Sequence, residues 1–161
     1  MRFHDGCEIL RFAVSIEQTG EDFYRGLAEK ETRPDIKNIL EHLALDEVEH
    51  RRAFEKMIEN NCGPDPVESY PGEYVAYMEA YLENAVFSGK SLESAKPDLA
   101  DVQSAINFAI KVELDSILFY HETLPFIPPS QHDTIQKIIE EERSHFLTLL
   151  GIKKVLSAVN R

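Results

Sequence analysis

The chain has 161 residues and a mass of 18.4 kDa, enough for one domain with its own core and short for two. Asp and Glu outnumber Lys and Arg by 29 to 17, a formal net charge of −12, so the surface repels phosphate backbones and nucleic-acid binding is not expected. No apolar run approaches the ~20 residues that span a bilayer, and the start Met1-Arg2-Phe3-His4-Asp5 carries no apolar signal-peptide core.

The first predicted helix covers about residues 7–31, where Ile9, Phe12, Ala13, Ile16, Phe23 and Leu27 recur at helical spacing. Thr32 is a candidate cap and Pro34 suits a first helical turn, so a second helix is expected over about 34–61, through Leu40, Leu43, Phe54 and Ile58. Asn60-Asn61-Cys62-Gly63-Pro64 ends it. Residues 62–97 read as a crossover opened by glycines and prolines and holding its own short helix, from about Tyr74 to Phe87. Tyr70, Tyr74, Tyr77 and Tyr81 follow helical spacing there; they are either aromatics packing this segment on the rest of the fold or on a second subunit, or a redox-active line. A third helix is expected over about 98–124, with Ile106, Ala109, Ile110, Ile117 and Tyr120 on its apolar side, ending at Pro125 to Ser130. The fourth runs over about 130–158, with Ile135, Ile138, Leu149 and Ile152 on one stripe. No segment shows strand alternation. The expectation is one all-α domain over 1–161, an antiparallel four-helix bundle with a long crossover between its second and third helices.

The first half returns in the second. Phe12-Ala13-Val14-Ser15-Ile16-Glu17, then Phe23-Tyr24, matches Phe108-Ala109-Ile110-Lys111-Val112-Glu113, then Phe119-Tyr120, 96 residues on. Leu40, Leu43, Glu47, His50 and Phe54 match Ile135, Ile138, Glu142, His145 and Leu149, 95 residues on. Both later elements read Glu-x-x-His, which puts the two side chains on one helix face about a turn apart. Alone, that spacing is weak; with a matched lone glutamate on each partner helix it becomes specific.

These glutamates interrupt apolar stripes and so point inward. An isolated buried carboxylate costs several kcal/mol or takes up a proton. Two divalent ions balance four carboxylates, and mixed carboxylate and imidazole donors suit iron or manganese, with zinc also able to occupy such sites. Antiparallel helices bring residues level when the turn lies midway. Glu17 and the Glu47/His50 pair are centred near Arg33-Pro34, and Glu113 and the Glu142/His145 pair near Pro128. The second and third helices fail this test, because their midpoint, Tyr81, lies inside a helical pattern.

On these residues the sequence resembles the rubrerythrin branch of the ferritin-like di-iron carboxylate proteins, over both helix pairs. The resemblance implies a ferritin-like bundle with two iron ions, Glu17 and Glu113 as terminal ligands, Glu47 and Glu142 as bridging ligands, and His50 and His145 as one imidazole per metal. It implies an oxidoreductase acting on hydrogen peroxide or dioxygen. Ferroxidase or iron handling, and a non-catalytic metal-stabilised bundle, are the alternatives. Two departures stand out. Ser116 occupies the position where rubrerythrins typically carry a further glutamate, which makes the site more symmetric. The four cysteines of a rubredoxin-like domain are missing, since the chain has only Cys7 and Cys62, so electrons are expected from a separate donor protein.

Tyr24 and Tyr120, seven residues beyond their glutamates, are candidates to hydrogen-bond carboxylates, with core packing as the alternative. Asp46 and Glu141 each precede a bridging glutamate and either orient a histidine on the facing helix or are solvated. Glu21 reads as an exposed charge or as lining an access path. His4, His42, His121 and His132 have no partner at ligand spacing and read as surface or hydrogen-bonded. Cys7 and Cys62 read as free thiols in a reducing compartment, which makes the cytoplasm the expected location. A homodimer is the expected assembly.

Overall fold

A computed structural model describes residues 6–62, 76, 77, 80, 81 and 101–159. Four long helices carry the fold: α1 (Gly6–Lys30), α2 (Pro34–Asn61), α3 (Val102–Thr123) and α4 (His132–Val159). Short 3-10 turns at Leu124–Phe126 and Pro129–Gln131 join α3 to α4. No strand occurs among the described residues.

The helix limits follow local chemistry. At the α1–α2 turn the N-cap is Arg33, not Thr32, and its side chain makes no cap hydrogen bond; Pro34 opens the helix. The turn is held by buried Glu31, which accepts the Arg33 backbone N–H (2.8 Å) and the guanidinium Nε (2.8 Å) and Nη2 (2.6 Å). These hydrogen bonds hold the Glu31 carboxyl below its ordinary pKa. α3 begins at Val102, later than expected, because the Asp101 carboxylate caps it by accepting the Ser104 N–H (3.3 Å) and hydroxyl (2.5 Å).

α1 packs along α2, and α3 along α4. The core divides into two apolar clusters. One gathers the first half of α1 (Ile9, Leu10, Ala13), the second half of α2 (Phe54, Met57), the end of α3 (Phe119) and the start of α4 (Ile135, Ile138). The other gathers the second half of α1 (Phe23, Leu27), the start of α2 (Leu40, Leu43), the start of α3 (Ala105, Ile106) and the second half of α4 (Leu149, Ile152). Thus α2 and α3 run parallel, which is why their connection must traverse the bundle. Of the crossover, Ala76, Tyr77, Ala80 and Tyr81 are helical. Half-buried Tyr81 packs on the first cluster and donates its hydroxyl to the Asp115 carbonyl (2.6 Å), while Tyr77 is exposed. At Tyr81 the crossover therefore packs on the bundle; Tyr70 and Tyr74 lie outside the described residues.

The reading of the cysteines is overturned. Cys7 and Cys62 are joined in a disulfide, with Cα atoms 5.7 Å apart, so they are not free thiols and no longer point to a reducing compartment. They meet because α1 and α2 are antiparallel and the cysteines lie at nearly equal distances from the turn. No described helix is long and apolar enough to cross a membrane.

Candidate metal centre

Between the two apolar clusters lies a polar layer to which each of the four long helices contributes. Glu17 comes from α1, Glu47 and His50 from α2, Glu113 from α3, and Glu142 and His145 from α4. All six are at most 5% exposed. They form two overlapping groups, Glu17, Glu47, His50 and Glu142, and Glu47, Glu113, Glu142 and His145, each offering donor atoms within 4.8 Å of one another. Glu47 and Glu142 belong to both.

The atoms divide in the same way. His50 Nδ1 lies 3.7 Å from Glu47 Oε2, 3.0 Å from Glu142 Oε1 and 3.6 Å from Glu17 Oε2. His145 Nδ1 lies 3.9 Å from Glu47 Oε1, 3.3 Å from Glu142 Oε2 and 3.9 Å from Glu113 Oε2. Glu47 and Glu142 each turn one oxygen toward either imidazole, whereas Glu17 and Glu113 each serve a single one. The rings stack with centroids 5.6 Å apart.

Side chains behind the layer fix this arrangement. His50 Nε2 is 2.9 Å from Glu141 Oε2, and His145 Nε2 is 3.2 Å from Asp46 Oδ2, so each imidazole is held by a carboxylate of the helix opposite. With Nε2 donating outward, Nδ1 carries the inward lone pair. Both Nδ1 atoms are buried without a hydrogen-bond partner, as is Glu142 Oε2. Unpaired donor atoms converging from four helices fit a cation in each group. Asp46 and Glu141 are more than half exposed, so they are solvated on one side and orient a histidine on the other. The terminal carboxylates are held crosswise: the Tyr24 hydroxyl of α1 donates to Glu113 Oε1 of α3, and the Tyr120 hydroxyl of α3 donates to Glu17 Oε1 of α1. The Oε2 atoms are left for the imidazole side.

The electrostatics states what the layer requires. Burial first, then the charges of Glu142 and Glu17, raise the Glu47 carboxyl; burial and Glu142 raise Glu113. Burial alone would lower both imidazoles, but Glu142 leads the carboxylates that lift His50 and His145 above their ordinary value. Burial also works against the Glu142 charge, yet the Glu113 carboxyl and the His145 and His50 imidazoles beside it hold its carboxyl down. Four buried carboxylates are tolerable with four compensating protons or with cations of equal charge. Burial, then Glu113 and Glu17 respectively, push the Tyr24 and Tyr120 hydroxyls well above their ordinary range, so both remain donors.

The other candidates lie elsewhere. Glu21 pairs with Arg25 and with Arg51 of α2, both at 2.9 Å, and clamps α1 to α2. His42 bonds the Asn38 carbonyl, His132 the Ile127 carbonyl, and His121 accepts from Arg143; His4 lies outside the described residues. Gly20 was not among the sequence candidates. A Cβ there would stand 3.1 Å from Glu47 Cδ and 3.3 Å from Oε1, so any larger residue would crowd the shared carboxylate. The signal available was a glycine inside a helix, which costs about 1 kcal/mol relative to alanine and therefore calls for a packing reason.

No curated protein matches the sequence. Among solved structures, the fold is similar to a crystal structure from Thermotoga maritima described as a ferritin-like diiron-carboxylate protein, with a TM-score of 0.68 and 26% identity, covering 96% of this chain and 98% of that one. The model of the rubrerythrin family matches residues 8–153. With that match over nearly the whole chain, and a carboxylate and histidine layer inside a ferritin-like four-helix bundle, this protein belongs to the rubrerythrin family.

Proposed function

We propose that the layer binds two iron ions, with Glu47 and Glu142 bridging them, Glu17 and Glu113 as terminal ligands, and His50 and His145 supplying one imidazole each. We further propose an oxidoreductase that reduces hydrogen peroxide or dioxygen with electrons from a separate donor protein, acting as a homodimer. The observation that carries the reading is the division of the Glu47 and Glu142 oxygens between two buried Nδ1 atoms, each of which also faces one further carboxylate of the layer, Glu17 or Glu113.

Bound iron supplies the electron transfer; the rest falls to the chain. Glu47 and Glu142, which belong to both donor groups, would be shared by the two ions. Tyr24 and Tyr120 keep their protons and fix one oxygen of each terminal carboxylate, so the other has one direction to face. Asp46 and Glu141 hold the histidine tautomers. The apolar clusters on either side exclude water and the side reactions it brings. Reduction of peroxide to two waters consumes two electrons and two protons, the electrons coming from the donor and the protons from solvent.

Anaerobic protein loaded with two ferrous ions, mixed with peroxide or with dioxygen and cycled with a reductant, should show a spectral change with at least one oxidant and recover over several turnovers. If neither oxidant changes the spectrum, the activity is wrong. Ser116 in place of a further carboxylate keeps iron handling as a second reading, which predicts loading well above two ions per chain.

A further inference from the structure

The two helix hairpins share a fold and a register, so each serves as a control for the other, and their outer faces differ. Among the described residues, Leu114 and Leu118 of α3 and Leu147 and Val155 of α4 are between 43% and 65% exposed. The repeat sets them against Gln18, Asp22, Arg52 and Asn60 of the first hairpin, whose one exposed large apolar side chain among the described residues is Leu45. Charge differs too. Residues 102–112 and 143–159 hold Lys111, Arg143, Lys153 and Lys154 and no acid, whereas the matching 6–16 and 48–64 hold four cations and four acids. Gly151 lies exposed between Leu147 and Val155 with open space where a side chain would stand. Its match is Lys56, and a glycine inside a helix calls for a packing reason that nothing described in the chain supplies.

We propose that the outer face of α3 and α4 is the docking surface for an acidic one-electron carrier, the separate donor on which the proposed activity draws. The inference rests on that activity and names where, and by what chemistry, its partner binds. Contiguous exposed apolar side chains rimmed by charge mark an interaction site. On a chain of net charge −12, four cations with no acid among them steer an acidic partner to this face in preference to the rest of the surface. A second copy fits it poorly, because two such faces would set cation against cation. Leu147 follows His145 by two residues and Leu114 adjoins Glu113, so the carrier rests against the backbone that holds the layer, and electrons need no open channel. Two reduced carriers each give up one electron to the oxidised centre; no bond forms or breaks.

A rubredoxin and a flavodoxin, each of net negative charge, serve as probes. At least one should bind the iron-loaded protein in calorimetric titrations, more weakly as salt is raised, and in its reduced form should reduce the oxidised protein in stopped flow. The pair Lys153→Glu, Lys154→Glu and, separately, Leu147→Ser should each lower affinity and rate by about tenfold or more, while reduction by ascorbate, which needs no docking, is unchanged. The matched pair Arg52→Glu, Lys56→Glu on the first hairpin should leave both as they are. No binding by either probe, equal losses in the two charge-reversed pairs, or binding untouched by the α4 substitutions would overturn the proposal. Binding at this face without electron transfer from either reduced carrier would instead sink the oxidoreductase reading, a result distinct from loss of binding.

Discussion

Asp46 and Glu141 are ordinary surface carboxylates on one side and hydrogen-bond partners of His145 and His50 Nε2 on the other. Removing such a partner typically costs 10–100-fold in metal affinity. Asp46→Ala and Glu141→Ala should each weaken binding by about that factor, read by chelator competition, while leaving the helical signal intact; wild-type affinity in both variants would remove the orienting role. The pH dependence has a definite sign. Because Glu47, Glu113, His50 and His145 are all shifted toward holding protons, a cation entering the layer must displace them. Affinity therefore rises with pH, from below the ordinary carboxylate range up through the ordinary histidine value and beyond. A flat profile across about pH 5–8 would contradict this. At this scale the six inward residues were legible because the repeat marked them twice. The tyrosines were legible only in part: their helix face followed from spacing, but the exchange of Tyr24 to Glu113 and Tyr120 to Glu17 depends on α1 lying beside α3, which no local pattern encodes. For Gly20 the sequence offered only a glycine inside a helix; its approach to Glu47 depends on how closely α1 packs on α2.

The helices themselves were readable to within a few residues, and the limits that differed are set by side chains acting across turns. Arg33 and Glu31 fasten the α1–α2 turn as a charged fork, whereas sequence favoured a threonine cap; Asp101 starts α3 by gripping Ser104. The disulfide belongs to this scale too. Cys7 and Cys62 are separated by 55 residues, and closing a loop of that size restricts the unfolded chain by up to ~4 kcal/mol in the chain-entropy picture. Reduction, or the Cys7→Ser, Cys62→Ser pair, should lower unfolding free energy by about 2–4 kcal/mol in denaturant titrations, with metal content unchanged because the bridge ties helix ends remote from the layer. A change below ~0.5 kcal/mol would mean that helix packing alone sets this end of the bundle. The midpoint argument that aligns Glu17 with Glu47 would equally have aligned these cysteines; the spacing rules for local cysteine motifs hid them.

For the molecule as a whole, the notable fact is that a polar layer of six titratable groups splits an otherwise apolar core in two. Such a layer gains little as a network of protonated acids and much as a ligand set, since binding to the folded state alone stabilises it by RT ln(1 + [L]/Kd). The repeat also explains why so much of the architecture could be inferred: two similar helix hairpins pack across a pseudo-symmetric interface, and only the parallel α2–α3 connection breaks the pattern. The crossover is where sequence reasoning had least purchase, because its glycines and prolines signal turns without saying where the segment lies.

The account depends above all on two cations held between Glu47 and Glu142. Protein purified without added metal, reconstituted anaerobically with ferrous iron and crystallised, should show two anomalous peaks per chain, each beside one of His50 and His145 and shared by both bridging glutamates. Glu47→Ala and Glu142→Ala should each lose at least one. A single peak, peaks away from these six residues, or full occupancy in both variants would contradict it.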